Sequence, residues 1–262
     1  MKIAYLGFDL FYDCLEYLVE NFNVIKIFTC DVDSAYEFNH KTYRIANDNN
    51  IPITIEPINE KAIVELEESG CDVIVSAGYY HKIPTSDKIK SVNIHPSLLP
   101  EGRGPWPLPV IILKDIKNSG VTAHRISKSF DAGEIVLSEK VSVSDDENLE
   151  TLTQKMQSKA KELIIKLFDD FDRLWTLKKI QTGGSYWKEP TVKEMTFTRE
   201  CSFEEIDRIT RAFYGFKCFL KTSDGMIEIK KAVALNKNEI IKQSCIDILE
   251  LSNCKLCIIN YA

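Results

Sequence analysis

The run Asp72-Val73-Ile74-Val75-Ser76-Ala77-Gly78 is a continuous apolar stretch bounded by an acidic residue and a glycine. Such a run reads as a strand covered on both faces, because a strand with one wet face would alternate polar and apolar residues. Its surroundings supply the covering layers. Lys2 to Leu6 is a short apolar strand closed by Gly7, and Phe8 to Glu20 carries Phe11, Cys14, Leu15 and Leu18 at helical spacing. Val24 to Cys30 reads as a second strand. Residues 40 to 50 suit a helix, Pro52 to Ile55 a strand, and Lys61 to Ser69 a helix stopped by Gly70. Strands alternating with helices predict an α/β fold with a doubly wound, mostly parallel twisted sheet.

The pattern changes after residue 148. Leu149, Leu152, Met156, Leu163, Leu167, Phe171 and Leu174 predict one long amphipathic helix over Asn148 to Leu174. Gln181 to Pro190 reads as a linker from its Gly and Pro content. Beyond it the sequence predicts one short helix, Ser202 to Phe213, and short β-rich runs at Lys217 to Thr222, Met226 to Val233 and Ile246 to Ile259. The expected organisation is a catalytic domain over 1–180, a linker over 181–190 and a small β-rich domain over 191–262.

Length and composition set the outer bounds. The 262 residues suffice for one sizeable α/β domain and an appendage, and 44% apolar with 27% charged residues is ordinary for a globular protein. The net charge of −6 gives no general attraction to phosphate backbones or anionic lipid. No apolar run approaches the ~18 residues needed to span a bilayer, and the first residues lack a signal-peptide layout, so a cytoplasmic protein without a membrane partner is expected. The eight cysteines are scattered apart from Cys254-x-x-Cys257. A lone CxxC is weak grounds for zinc, and reduced structural thiols with no bound metal are the expectation.

The chemistry concentrates between Ser91 and Ser138. Five of the nine prolines fall between Pro96 and Pro109. Rigid irregular backbone of this kind is disproportionately functional when ordered. Asn93 and His95 are one residue apart on a short extended stretch, so both side chains project to the same side. An amide beside an imidazole suits attack of an amine on a carbonyl: the amide donates to the oxyanion and the imidazole handles the amine's proton. A carboxylate is the natural third member, and Asp131, in Phe130-Asp131-Ala132-Gly133, is the candidate. Singly, these residues also suit a strand end, a satisfied loop histidine and an Asp-Gly-type turn. Their combination in one loop carries the catalytic reading.

Asn93-x-His95-x-Ser97-Leu98-Leu99-Pro100, then Arg103-Gly104, Gly120-Val121-Thr122 and Asp131-x-Gly133 together resemble the signature of the folate-dependent formyltransferases. That family includes methionyl-tRNA formyltransferases, glycinamide ribonucleotide formyltransferases, formyltetrahydrofolate hydrolases and nucleotide-sugar N-formyltransferases. The likeness covers roughly residues 1 to 180. It implies a Rossmann-like domain that binds N10-formyltetrahydrofolate as co-substrate beside a catalytic Asn, His and Asp, which match Asn93, His95 and Asp131. Whether Asp131 would meet His95 directly or through water stays open. The segment Ala77 to Pro84 is similar to the loop that packs on the pterin, making Tyr80, Ile83 and Pro84 the folate-side candidates beside Asp131. A strand end with a surface turn would look the same. His124 matches a histidine of some sugar-acting relatives, but in its strand-like run a structural role is expected.

The tRNA-acting members carry a basic insertion after the second strand and a basic C-terminal domain. Here the matching segment, Asp31 to Lys41, has no basic cluster, and Gly183 to Ala262 holds 12 basic and 11 acidic residues. Phosphate contacts dominate nucleic-acid affinity, so a tRNA clamp would show a concentrated basic stripe. The resemblance is nearest to enzymes that formylate an amino sugar on a nucleotide carrier, for a cell-surface glycan. Arg103, Trp106 and Phe8 are then the substrate-side candidates: Arg103 for a diphosphate and Trp106 for a ring. A surface ion pair and a core aromatic are the equally open roles for Arg103 and Trp106. Methionyl-tRNA formylation and a non-catalytic folate-binding module are the competing expectations. The apolar C-terminal stretches and the aromatics Tyr186 and Trp187 leave room for a homodimer.

Overall fold

The computed structural model describes residues 1–32, 38–239 and 244–261. A seven-stranded sheet is built from β1 (Lys2–Gly7), β2 (Asn23–Phe28), β3 (Ile53–Thr54), β4 (Val73–Ala77), β5 (Lys90–His95), β6 (Asn118–Arg125) and β7 (Ile135–Ser142). Its order is β3-β2-β1-β4-β5-β6-β7. The pairs β1/β2, β2/β3, β1/β4 and β4/β5 are parallel, and β5/β6 is antiparallel. All five residues of β4 are buried, as its uninterrupted apolar run requires. The expected α/β class with a mostly parallel sheet and a smaller β-rich C-terminal part is therefore what the chain adopts.

Between the strands lie α1 (Tyr12–Asn21), α2 (His40–Asp48) and α3 (Glu60–Glu68). The Asn59 side chain caps α3 by accepting from the Ala62 N–H, which satisfies one of the donors left open at a helix start. Gly70, at φ +71°, follows the same helix in the left-handed conformation that glycine takes most readily. Reversal of direction in the sheet, with β2 and β3 to one side of β1 and β4 and β5 to the other, creates a switch point between β1 and β4. Ligands of open α/β sheets bind outside the carboxyl ends of the strands at such a point. Phe8 follows β1 there and Gly78 follows β4.

The helix expected over Asn148 to Leu174 is in fact two: α5 (Leu149–Asp169) and α6 (Phe171–Thr176). Asp170 breaks it, leaving helical geometry at φ −146° and accepting a hydrogen bond from Arg173. Aspartate is a poor helix-interior residue and a frequent one at helix starts, the position that it takes before α6. Phe168 stacks on Phe171 across the break, with ring centroids 5.2 Å apart.

The C-terminal part contains α7 (Phe203–Ala212), opened by a full Ser202–Glu205 capping box, and a five-stranded sheet. The sheet comprises β8 (Thr196–Thr198), β9 (Cys218–Thr222), β10 (Gly225–Leu235), β11 (Asp247–Glu250) and β12 (Lys255–Tyr261), in the order β11-β12-β10-β9-β8. β8 has no counterpart in the sequence reading, because three residues are too few to show a period. The CxxC cysteines part company. Cys254 is a buried free thiol, whereas Cys257 is joined to Cys245, which corrects the expectation of reduced thiols throughout. Antiparallel pairing of β11 with β12 brings the two segments together, with the Ile246 N–H donating to the Ile258 carbonyl.

The chain forms two compact units. One comprises Met1–Pro105, Ser119–Val141 and Lys155–Trp187; the other comprises Trp106–Asn118, Ser142–Gln154 and Lys188–Ala262. The second unit draws in α4 (Pro107–Leu113), which packs on α7. No helix among the described residues is long and apolar enough to cross a membrane.

Candidate active site

Strand β5 delivers Asn93 and His95 to one side of the sheet, and its antiparallel partner β6 sets His124 opposite Asn93 and Thr122 opposite His95. Asp131 arrives from the loop between β6 and β7. Its φ is +52°, a left-handed conformation that aspartate and asparagine tolerate better than most side chains. Gly133 is required beside it, because a β-carbon there would overlap the Arg125 carbonyl oxygen.

These groups converge. His95 Nδ1 lies 3.6 Å from Asp131 Oδ1, and its Nε2–H donates to the Gly102 carbonyl over 2.8 Å. Asn93 Nδ2 lies 3.4 Å from Asp131 Oδ1 and 3.1 Å from His124 Nε2. The Gly104 N–H donates to Asp131 Oδ2 over 2.9 Å. The Asp131 carboxylate thus sits at the hub, and Asn93 is only partly buried whereas His95 is 5% exposed.

Electrostatics follow from this packing. Burial pushes the His95 imidazole below its ordinary value; the Asp131 charge and the Gly102 hydrogen bond oppose that shift, and His124 reinforces it. For Asp131, burial raises the carboxyl. That rise is outweighed by the His124 and His95 imidazoles and the Gly104 N–H, which hold it at about 2. A charged carboxylate is therefore fixed beside a histidine that gives up its proton readily. Both ring nitrogens of His95 face oxygens, Nε2 the Gly102 carbonyl and Nδ1, at 3.6 Å, the Asp131 carboxylate, whose charge favours the protonated ring.

The proline-rich loop is stitched to residues the sequence assigns to a linker. The Arg103 N–H donates to the Ser185 carbonyl, the Trp187 N–H to the Arg103 carbonyl and the Ser185 N–H to the Pro100 carbonyl. The Gly102 N–H donates to Ser185 Oγ, which in turn contacts Glu101. Gly104, at φ +125°, has no room for a β-carbon against the Trp187 carbonyl. Arg103 does structural work here: its Nε donates to Gln181 Oε1 and its guanidinium to the Gly183 carbonyl, both over 2.9 Å. Gln181 then donates to the Asp131 and Gly133 carbonyls, at 2.9 and 2.6 Å, and clamps the aspartate turn. Gln181 has no signal in the sequence, lying 50 residues from the turn that it holds.

The remaining candidates divide. Phe8 is 1% exposed and its ring meets Tyr80 at 5.3 Å, tilted by 41°. Tyr80 is 48% exposed, so its ring is open at the switch point with buried Phe8 packed behind it. Pro84 is half-buried, but Ile83 is 8% exposed and belongs to the core cluster with Leu6, Phe28 and Ile74. Trp106 belongs to the second unit, where it meets Phe213 and Phe216 edge-on at 6.0 and 5.0 Å. Its ring is used in packing. Among the described residues no cluster of His, Cys, Asp and Glu is arranged to hold a metal.

Comparison with known proteins bears on the family and the fold. The family described as Formyl transferase matches residues 37–168, half of the chain. The methionyl-tRNA formyltransferase of Ehrlichia chaffeensis is 32% identical over 197 residues, which are 72% of this chain and 63% of that protein. This chain therefore spans less than two thirds of that relative's length. Among solved structures, a 4-N formyltransferase from Francisella tularensis superposes with a TM-score of 0.68 at 22% identity, covering 87% of this chain and 96% of that one. A sugar 3N-formyl transferase, WlaRD, solved in the presence of dTDP and 5-N-formyl-THF, gives 0.68 at 19%, covering 98% and 97%. These two show a shared fold, and the family match over half the sequence shows the descent: the chain belongs to the formyl transferase family.

Proposed function

We propose that this protein transfers a formyl group from N10-formyltetrahydrofolate to the amino group of a nucleotide-linked aminodeoxysugar, on the way to a surface glycan. The convergence of Asn93 and His95 on the Asp131 carboxylate, at 3.4 and 3.6 Å, carries the formyl-transfer reading. The exposed Tyr80 ring, backed by Phe8 at the β1/β4 switch point, suits a flat heteroaromatic ring, and Asn93, only partly buried, pairs with Ser76 of β4 near the same strand ends. Bound N10-formyltetrahydrofolate supplies a formyl carbonyl open to an amine, with N10 as the leaving nitrogen. Asn93 offers an N–H to the carbonyl oxygen as negative charge develops on it. Asp131, held ionised, and His95 take up the proton that the amine gives up and return one to the leaving side. Gly102 and Gly104 hold the histidine and the carboxylate through backbone contacts.

The acceptor is argued from charge. The C-terminal 80 residues carry 12 basic and 11 acidic side chains, and the whole chain has a net charge of −6. A segment that grips an RNA backbone concentrates cations, since that contact supplies most of the affinity. Residues 33–37 of the candidate insertion segment lie outside the described residues; its charge is read from sequence alone. The sugar 3N-formyl transferase named above supports the same acceptor class. Methionyl-tRNA is the second reading, favoured by the Ehrlichia relative.

Competition separates the two. With N10-formyltetrahydrofolate, a panel of nucleotide-linked amino sugars is expected to include an acceptor formylated at least about 100-fold faster, by kcat/KM, than methionine-charged initiator tRNA. Formylation of the charged tRNA at a rate equal to or above that of every sugar nucleotide would overturn the acceptor assignment.

A further inference from the structure

We infer that Gln181 is a positioning residue for the reaction: its side-chain amide sets where the Asp131 carboxylate stands by holding the backbone that carries it. The consequence for rate rests on the formyl-transfer reading; the hold on the turn does not.

Strand register brings Gln181 to the turn. Lys179 and Ile135 exchange two backbone hydrogen bonds of 2.8 Å in an isolated antiparallel bridge. Continuing that register by two residues sets Gln181 against Gly133. There the pairing passes from backbone to side chain. Gln181 Nε2 donates to the Gly133 carbonyl over 2.6 Å and to the Asp131 carbonyl over 2.9 Å, and its Oε1 accepts from Arg103 Nε over 2.9 Å. Carbonyl oxygens only accept and a guanidinium only donates, so the three partners together call for an amide, in one orientation.

The turn needs this hold. Asp131 is left-handed at φ +52°, a conformation that persists in a residue other than glycine only where its surroundings fix it. The turn's own contact, from the Ala132 N–H to the Ser129 carbonyl, is long at 3.5 Å. Meanwhile the carboxylate is matched to fixed points: the Gly104 N–H at 2.9 Å, Asn93 Nδ2 and His124 Nε2 at 3.4 Å and His95 Nδ1 at 3.6 Å. The titratable groups facing it are thus His95 of β5 and His124 of β6, and Arg103 flanks Gln181 on its other side. Arg103 directly precedes Gly104, so Gln181 also ties the turn to the loop that gives the carboxylate its N–H partner. Misplacing a reacting group by about 1 Å can cost about 100-fold in rate. Loosening the turn should therefore be felt in turnover and not in folate binding.

The competing role is an anchor for Arg103 alone, and two substitutions separate the roles. Gln181→Met keeps the length of the side chain and loses all three bonds. Gln181→Glu keeps an acceptor for Arg103 but has no donor for either carbonyl. We expect both to lower kcat by at least about fivefold, with KM for the folate changed less than about threefold. In an Asp131→Asn background, Gln181→Met should cost at most about a further twofold, because an effect routed through the carboxylate disappears with it. A readout independent of activity comes from Gly104, the one glycine preceded by arginine. Labelling with 13C-carbonyl arginine and 15N-glycine selects its N–H in an NMR spectrum. Exchange of that N–H with solvent should be at least about fivefold faster in both variants than in wild type, as the carboxylate moves off it. The inference is overturned if Gln181→Glu changes kcat or Gly104 exchange by less than about fivefold, or if Gln181→Met costs more than about twofold in the Asp131→Asn background. Should wild-type protein formylate none of the amines offered, the functional reading fails, and the exchange comparison still decides the role of Gln181.

Discussion

Replacing Asn93 or His95 with alanine is expected to lower kcat by about 100- to 1000-fold, the range seen when one donor to a developing oxyanion is removed. The two losses should differ in their side effects. Asn93 is partly buried at the end of β5, so Asn93→Ala should leave the thermal midpoint close to wild type. His95 is 5% exposed and bonded to the Gly102 carbonyl, and alanine would leave a cavity and deprive that carbonyl of its partner. His95→Gln, which keeps a donor and most of the volume, guards against mistaking instability for lost chemistry. KM for the folate should move little in each variant. If either Asn93→Ala or a folded His95 variant retained more than about a tenth of wild-type turnover, that residue would leave the proposed catalytic unit.

Asp131→Asn is expected to be nearly silent in structure and severe in function. Asparagine tolerates the left-handed backbone at φ +52° and can still accept from the Gly104 N–H. What disappears is the charge. In the wild type that charge opposes the lowering of the His95 pKa by burial, so in Asp131→Asn the His95 pKa falls further. The limb of the rate profile that reports His95 should therefore move to lower pH, and turnover should drop by about 100-fold or more while 5-formyltetrahydrofolate still binds. Stability carries the same signature. A carboxyl held at about 2 when folded, against an ordinary 3.8, contributes stability that is present above about pH 4 and lost as pH falls through 2. Acid denaturation in that window should flatten in Asp131→Asn. An unchanged pH profile with near-normal turnover would make Asp131 a turn residue only.

Much of this was legible before any coordinate. The all-apolar run at 72–78 named its strand and the layers that cover it, and the odd loop from Ser91 to Ser138 held Asn93, His95 and Asp131. Two kinds of feature were not legible. One is strand pairing: nothing in the spacing of His124 says that it faces Asn93, because antiparallel register is set by the whole β5/β6 ladder. The other is contact across long separations. Gln181 and Ser185 look like linker residues by composition, yet they clamp the Asp131 turn and the Gly102 backbone. Arg103 and Ile83 carry contacts of the same kind: Arg103 is tied to Gln181 and Gly183, and Ile83 packs in the core cluster, neither of which their sequence neighbours reveal.

The central claim is that one formyl group passes from folate to an amine at this site. The direct measurement is a single-turnover reaction of the wild-type protein with N10-formyltetrahydrofolate carrying a labelled formyl carbon and a nucleotide-linked amino sugar. Tetrahydrofolate, labelled formamide and free formate are each quantified over time. The account predicts tetrahydrofolate and formamide appearing in equal amounts and at one rate, without free formate. Release of tetrahydrofolate matched by free formate, or no consumption of the folate with any amine offered, would contradict it.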